Sequence, residues 1–221
     1  MVDNAILSAQ AAGVRVGVFD GRAKTSDRGA LRGSRDTDED LIARAGEGDR
    51  LAASELVLRH TDKIMGACYR MLGERSAAED AAQETFLRLW KHAGKWRNEG
   101  AKFETWLYRV AMNVCLDRLR KRGREAPEEA APEQVDHGPR ADALLIEEER
   151  RAMIETALAR LPDRQRLAIT LCHYQELSNI EAAKIMETSV EAVESLLSRA
   201  RRALRERLLS ARDELLEGRV S

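Results

Sequence analysis

The chain has 221 residues, 34% of them charged and 4% aromatic, with four prolines and a formal net charge of −1. That composition favours helices over sheets, leaves room for one domain or two small ones, and carries no global excess of positive charge pointing to nucleic acid. No apolar run approaches membrane-spanning length and the N-terminus lacks the apolar core of a signal peptide, so a soluble, cytoplasmic protein with no membrane insertion is expected.

Residues 1–35 are rich in Gly, Ala and Arg without a sustained period, and read as a disordered, mildly basic extension; VRVGVFDG within it is a stray strand candidate with no obvious partner. Organised sequence starts at Asp36. DTDEDLIARAGEGD predicts an amphipathic helix from about Asp38 to Ala45. A second helix is expected from about Arg50 to Leu72, with Leu51, Leu58, Ile64, Cys68 and Met71 among its apolar positions and Gly73 ending it. Ser76 with Glu79 has the capping-box form and opens a third helix, in which Ala82, Phe86, Leu89 and Ala93 mark the buried side. Asp80, Glu84, Arg88 and Lys91 lie along its outward stripe, with Gln83 at the edge. The plain reading of that stripe is a solvated face with a Glu84–Arg88 pair worth a few tenths of a kcal/mol.

The glycine-flanked loop GKWRNEGA carries Trp96 and leads into a long helix beginning near Lys102. Phe103, Leu107, Val110 and Val114 are expected to face inward, and Lys102, Thr105, Arg109, Asn113, Asp117, Arg120 and Lys121 to line another face. From Lys102 to Arg124 there are seven basic residues against two acidic. Together with Trp96, Trp106 and Tyr108, this face offers phosphate contacts and flat surfaces for unstacked bases. Residues 125–141 hold three of the four prolines and are strongly acidic, so they read as a flexible linker. About 17 residues fully extended reach on the order of 55–60 Å. The expected fold is all-α: two small helical domains, 36–124 and 142–221, joined by the 125–141 linker and preceded by the 1–35 extension.

After a helix from Asp142 that is stopped at Leu161-Pro162, Asp163 is expected to cap the segment that follows. Ser178 with Glu181, and Thr188 with Glu191, have capping-box spacing ten residues apart, which is the spacing of a helix-turn-helix. Its second helix is apolar at Val190, Val193, Leu197, Ala200, Leu204 and Leu208, and carries Glu191, Glu194, Ser195, Ser198, Arg199, Arg202 and Arg205 on the other side. Such a helix suits a DNA major groove, although arginine-rich helical hairpins also occur in ordinary bundles.

Cys68, Cys115 and Cys172 contain no C-x-x-C pair and read as reduced thiols; Cys172 and His173 are adjacent and point apart on a helix, so no metal site is expected. Glu-x-x-His pairs on facing helices, a phosphate loop and G-x-S-x-G are all lacking, so neither an enzyme nor a cofactor is expected.

AEDAAQETFLRLW followed by KFETWLYRVAMNVCLDRLRK resembles region two of the extracytoplasmic-function (ECF) group of bacterial sigma factors, and LARLPDRQRLAITLCHYQELSNIEAAKIMETSVEAVESLLSRARRAL resembles their region four. The two stretches occur in the family's order, separated by a variable linker. The resemblance implies an RNA polymerase sigma factor that binds core polymerase and directs promoter recognition, DNA melting and initiation. It places Asp80, Gln83 and Glu84 on the clamp helices of the beta-prime subunit. It assigns the −10 element to the loop from Lys95 to Lys102 and to Arg109, Asn113, Arg120 and Lys121. The −35 element falls to Ser195, Ser198, Arg199 and Arg202, with region four also leaning on the beta flap, and an anti-sigma factor is implied as a further partner. The sequence departs from many family members at Ala192, Glu194 and Leu196, where Thr, Lys and Arg are common, and in a turn, Met186-Glu187-Thr188, that lacks the usual glycine. Glu191 and Glu194 repel phosphate but suit a cytosine amino group. The rival is a stand-alone helix-turn-helix regulator, whose N-terminal half would show an apolar pocket in place of a basic helix behind an Asp-x-x-Gln-Glu stripe.

Overall fold

The computed structural model describes residues 36–96, 102–125 and 142–218. The N-terminal extension, most of the loop between Lys95 and Lys102, and the acidic linker beyond Glu125 lie outside the described residues. Among those described, every regular element is a helix: α1 (Asp38–Gly46), α2 (Arg50–Leu72), α3 (Arg75–Ala93), α4 (Phe103–Glu125), α5 (Asp142–Ala159), α6 (Asp163–Ile169) continued by a widened π-helical turn (Thr170–Tyr174), α7 (Asn179–Met186) and α8 (Val190–Gly218). The all-α expectation is met. Two compact units are present, one of residues 36–65 with 80–96 and 102–114, the other of 66–79 with 115–125 and 142–218.

In the first unit α1 starts on a reciprocal box: Thr37 Oγ1 accepts from the Asp40 N–H at 3.1 Å, while the Thr37 N–H donates to the Asp40 carboxylate at 3.0 Å. Leu41 and Ile42 then turn inward, beside a core that includes Leu56, Ile64, Phe86, Leu89, Phe103 and Leu107. Each such side chain contributes about 1.5–3 kcal/mol on burial. Gly46 is required by a close approach, since a Cβ there would lie 2.8 Å from the Ala93 carbonyl oxygen. Along α2 the expected apolar positions divide. Ile64, Cys68 and Met71 are buried, whereas Leu51 and Leu58 are 77% and 59% exposed. Ala52, Leu56 and Val57 take the inward places, because positions seven apart such as 51 and 58 share a stripe of their own.

In the second unit α5, α6 and α7 all pack on α8. Arg166 is the exceptional residue of this core, a charged side chain only 7% exposed. Its guanidinium donates to backbone carbonyls of Leu158, Ala159 and Leu161 at the end of α5, and to that of Met71 at 2.6 Å, at the end of α2. Helix C-termini leave orphan carbonyls and partial negative charge, and one cation here serves two of them. Nearby, the Tyr69 hydroxyl donates to Glu155 at 3.0 Å and Arg70 lies 4.1 Å over the Tyr174 ring.

Three expected caps are corrected. Helix α3 starts at Arg75, and Ser76 lies in its first turn, donating to the Glu74 carboxylate, while Glu79 pairs with Arg75 at 3.0 Å. The reciprocal partner of the expected box is thus occupied by a guanidinium four residues away. Pro162, not Asp163, is the N-cap of α6; Asp163 is the first helical residue, where its charge favours the N-terminal end of the dipole. At α8 the hydroxyl that accepts is Ser189, from the Ala192 N–H at 3.2 Å, because Thr188 is used to close the preceding helix: its N–H reaches the Ala183 carbonyl at 3.0 Å. The Ser178–Glu181 box forms as expected, as does the end of α2 at Gly73, with φ +74°.

Glu187 closes α7 in the left-handed region, φ 51° and ψ 53°. A side chain there costs roughly 1–2 kcal/mol, against about 0.5–1 kcal/mol of extra chain entropy lost by glycine. Glu187→Gly relieves that strain and is expected to stabilise the second unit by up to about 1 kcal/mol less the side-chain interaction it gives up, seen as a higher urea midpoint at constant slope. A lower midpoint would mean that contacts of the Glu187 side chain outweigh its backbone strain.

Candidate polymerase and nucleic-acid interfaces

Helix α3 turns Ala81, Ala82, Thr85, Phe86 and Leu89 inward. Thr85 needs no partner outside its own helix, as its hydroxyl donates to the Ala81 carbonyl at 2.7 Å. With that face fixed, Asp80 is exposed and Gln83 and Glu84 are half-buried on the outer side. Positions 80, 83 and 84 are spaced i, i+3, i+4, so they form one patch. Glu84 pairs with Arg88 at 2.6 Å, with both side chains about 40% exposed. An exposed pair of this kind is worth about 0.3–0.5 kcal/mol, too little to stop Glu84 from taking another partner.

Helix α4 presents the basic stripe. Lys102, Arg109, Asn113, Arg120 and Lys121 are all exposed, and 102, 109, 113 and 120 are spaced 7, 4 and 7 apart, which keeps them on one side of the helix. Arg120 is drawn towards Asp117 at 3.3 Å. Lys95 is exposed just after α3, in a turn where its N–H reaches the His92 carbonyl at 2.9 Å. Two expectations about α4 are corrected: Thr105 is 5% exposed and Tyr108 1%. The inward face is wider than Phe103, Leu107 and Val114, because Tyr108, Ala111, Met112 and Cys115 are buried as well, while Val110 is half-buried. Tyr108 therefore fills the core and offers no ring to a base. Trp96 and Trp106 remain half-buried, both against the fully buried Phe103, with ring centroids 6.0 and 6.1 Å away.

The polar support under this aromatic group was not legible in the sequence. His60, 4% exposed, packs edge-on to Phe103 at 5.4 Å and shares a hydrogen bond with Asp38 at 2.7 Å. Hydrogen bonding and charge from His60, with help from Arg59, hold the Asp38 carboxyl below its usual value against the opposing effect of burial. Phe103 starts α4 with its N–H on the Glu39 carboxylate at 3.3 Å. Glu39 of α1 thus ties down the start of the basic helix.

In the helix-turn-helix, Val193, Leu197 and Ala200 of α8 are buried and Val190, Leu204 and Leu208 half-buried, as the apolar rhythm requires. Ser198, Arg199 and Arg202 are exposed and Ser195 is half-buried. Arg199 donates to the Ser195 hydroxyl at 2.9 Å, so two expected site residues brace each other. Glu191 and Glu194 are exposed on the first turns of the same helix. Its own backbone N–H and the Ser189 hydroxyl keep the Glu191 carboxyl below its usual value. The Asn179 amide, at the start of α7, donates to Glu194 at 3.4 Å.

Cys68 and Cys115 are buried thiols; hydrogen bonding to Cys68, with burial, pushes Cys115 far up, and burial also raises Cys172. Thiols raised in this way, as Cys115 and Cys172 are, make poor nucleophiles and poor metal ligands. Among the described residues no group of three His, Cys, Asp or Glu is placed to hold a metal ion, and no helix is long and apolar enough to cross a membrane.

Residues 56–125 match the family "Sigma-70 region 2" and residues 151–204 match "Sigma-70, region 4". The chain is similar to the ECF RNA polymerase sigma factor SigW of Bacillus subtilis, 36% identical over 177 residues, 76% of this chain and 94% of that protein. RNA polymerase sigma-H factor of Pseudomonas aeruginosa is 32% identical over 181 residues, covering 77% and 93%. Among solved structures, CnrH in complex with the cytosolic domain of CnrY is similar at TM-score 0.60 and 28% identity, over 80% of this chain and 99% of that one. The sigma factor RpoE of Bartonella quintana, in complex with the anti-sigma factor NepR, is similar at TM-score 0.56 and 25% identity, over 70% and 94%.

Proposed function

The chain belongs to the extracytoplasmic-function group of the sigma-70 family, and from that membership we propose how its surfaces divide the work of an RNA polymerase sigma factor. Asp80, Gln83 and Glu84 dock on the clamp helices of the beta-prime subunit. Lys95, Lys102, Arg109, Asn113, Arg120 and Lys121, beside Trp96 and Trp106, take the −10 element and hold it open. Ser195, Ser198, Arg199 and Arg202 read the −35 element in duplex form, while the helix-turn-helix domain leans on the beta flap. The observation that carries this reading is the pairing, in one chain, of an acidic patch and a basic stripe on consecutive helices with a helix-turn-helix further along. The matched stretches 56–125 and 151–204 support functional domains at 36–124 and 142–221.

The protein performs no chemistry of its own; it lends the polymerase two binding surfaces and works where the polymerase works, in the cytoplasm. Capturing an unstacked base repays an opening cost of a few kcal/mol. The acidic linker suits a path built for nucleic acid, because its charge takes the place of phosphates. An anti-sigma factor is a further partner, as NepR is of the similar RpoE.

The test is transcription from fragmented genomic DNA by purified core polymerase with and without the protein, mapping RNA 5′ ends. New starts sharing two upstream motifs are expected. No new starts, with sequence-specific DNA binding by the protein alone, would instead establish a free-standing regulator. In the same assay Arg199→Ala with Arg202→Ala is expected to reduce initiation at −35-dependent promoters at least about tenfold. The salt slope of promoter binding should become shallower by up to about 2, since each phosphate contact contributes about 0.9. Core affinity should be untouched; an equal loss at promoters that need no −35 element would show that these arginines act elsewhere.

A further inference from the structure

The first turns of the −35-reading helix carry the wrong charge for DNA unless the groove itself answers it. From Val190 to Ser198 there is no Lys or Arg, and Arg199 is the first cation of α8. Over the same stretch Glu191 and Glu194 are both exposed. In helix-turn-helix proteins the N-terminal residues of this helix are the ones that reach base edges. A carboxylate there gains nothing from phosphate. It gains only from an amino donor in the major groove, cytosine N4 or adenine N6. Adenine sets the N7 acceptor beside N6, a donor–acceptor pair that suits an amide; cytosine presents N4 as a donor and suits a carboxylate.

Glu194 is also held in place. Asn179, the first residue of α7, donates its amide to one carboxylate oxygen at 3.4 Å, which leaves the other oxygen to accept from a base. A side chain already held before binding loses less rotamer freedom when it binds. Asn179 itself sits just inside the Ser178–Glu181 box, so its backbone is fixed by two reciprocal hydrogen bonds. The geometry therefore runs from a capped helix start, through an amide, to a carboxylate on the groove-facing helix.

We propose that Glu194 determines specificity by accepting a hydrogen bond from cytosine N4 in the −35 element, and that Asn179 is its positioning residue. This rests on the reading of α8 as the −35 reader. The −35 element recognised by this protein has a cytosine opposite the first turns of α8, and the preference for it is a property of one carboxylate.

The experiment is selection of active promoters from a library randomised across the −35 element, using reconstituted holoenzyme with the wild-type chain, Glu194→Gln, Glu194→Ala and Asn179→Ala. Wild type is expected to prefer cytosine at one position by roughly 5–150-fold, the range of a good base contact. Glu194→Ala should flatten that position alone, and Glu194→Gln should move it towards adenine. Asn179→Ala should weaken the cytosine preference several-fold at the same position, which a purely structural role would not do, and Asn179→Gln should restore part of it. Unchanged base preferences in both Glu194 variants would overturn the proposal, as would a change confined to a position where wild type prefers another base. Failure of wild-type holoenzyme to give any promoter-dependent start would overturn the sigma-factor surfaces instead, so the two failures are distinguishable.

Discussion

Replacing Arg166 with alanine is expected to destabilise the second unit by on the order of 3–5 kcal/mol. The cause is the number of groups abandoned. One guanidinium serves carbonyls of Leu158, Ala159, Leu161 and Met71, and it sits only 7% exposed, where water has little access to replace it. The Leu158 carbonyl keeps the Leu161 N–H at 3.0 Å, so the loss falls on the other three; each buried acceptor left without a donor costs about 1–3 kcal/mol, less whatever the site recovers by relaxing. Two helix ends also lose their compensating charge. Arg166→Lys should recover only part, because an ammonium is a compact point charge without the planar five-donor fork. The control is Arg164→Ala. That residue is exposed and donates to the Met186 carbonyl at 3.3 Å, so its loss should stay below about 1 kcal/mol. Urea unfolding of the three variants decides the matter: equal midpoints for Arg164→Ala and Arg166→Ala would mean that the carbonyl cluster contributes nothing.

Reversing Asp80 and Glu84 to lysine is expected to weaken binding to core polymerase roughly 100-fold, about 2.8 kcal/mol, while leaving the melting transition nearly in place. Both carboxylates lie on the outer side of α3, away from Phe86 and Leu89. Within the fold the exposed Glu84–Arg88 pair is replaced by a mild like-charge contact four residues apart. What the interface loses is larger, since like charges brought face to face cost several kcal/mol. Wild-type binding should also weaken as salt rises, because exposed charges are screened over about 10 Å at 0.1 M. Competition binding to purified core, beside a thermal melt, separates the two effects. Unaltered affinity, or a melt lowered enough to explain the loss, would remove these residues from the polymerase interface.

Much of α3 was legible because its evidence is local. Ala82, Phe86, Leu89 and Ala93 recur at helical spacing and all four are buried, which by subtraction turns Asp80 and Glu84 outward. Helix α4 is less legible. Thr105 is chemically ambiguous and Tyr108 has an apolar body with a polar tip, so periodicity alone could not assign either to the core. In α8 the opposite held, since Val193, Leu197 and Ala200 leave no ambiguity about which side packs. The pairing of Asn179 with Glu194 was invisible because 15 residues and a turn separate them.

The sequence by itself determined the helical class, the Ser178–Glu181 start of the helix-turn-helix, the end of α2 at Gly73 and the outward acidic patch. Each follows from interactions between residues three or four apart, or from the backbone preference of a single residue. Only the tertiary structure decided that Arg166 is a core residue, that Tyr108 is unavailable to a base, that Ser189 takes the cap from Thr188, and that His60 and Asp38 support the aromatic group around Phe103. The physical reason is that partners such as Met71 for Arg166, 95 residues apart, are backbone carbonyls, which every residue carries and no sequence pattern distinguishes.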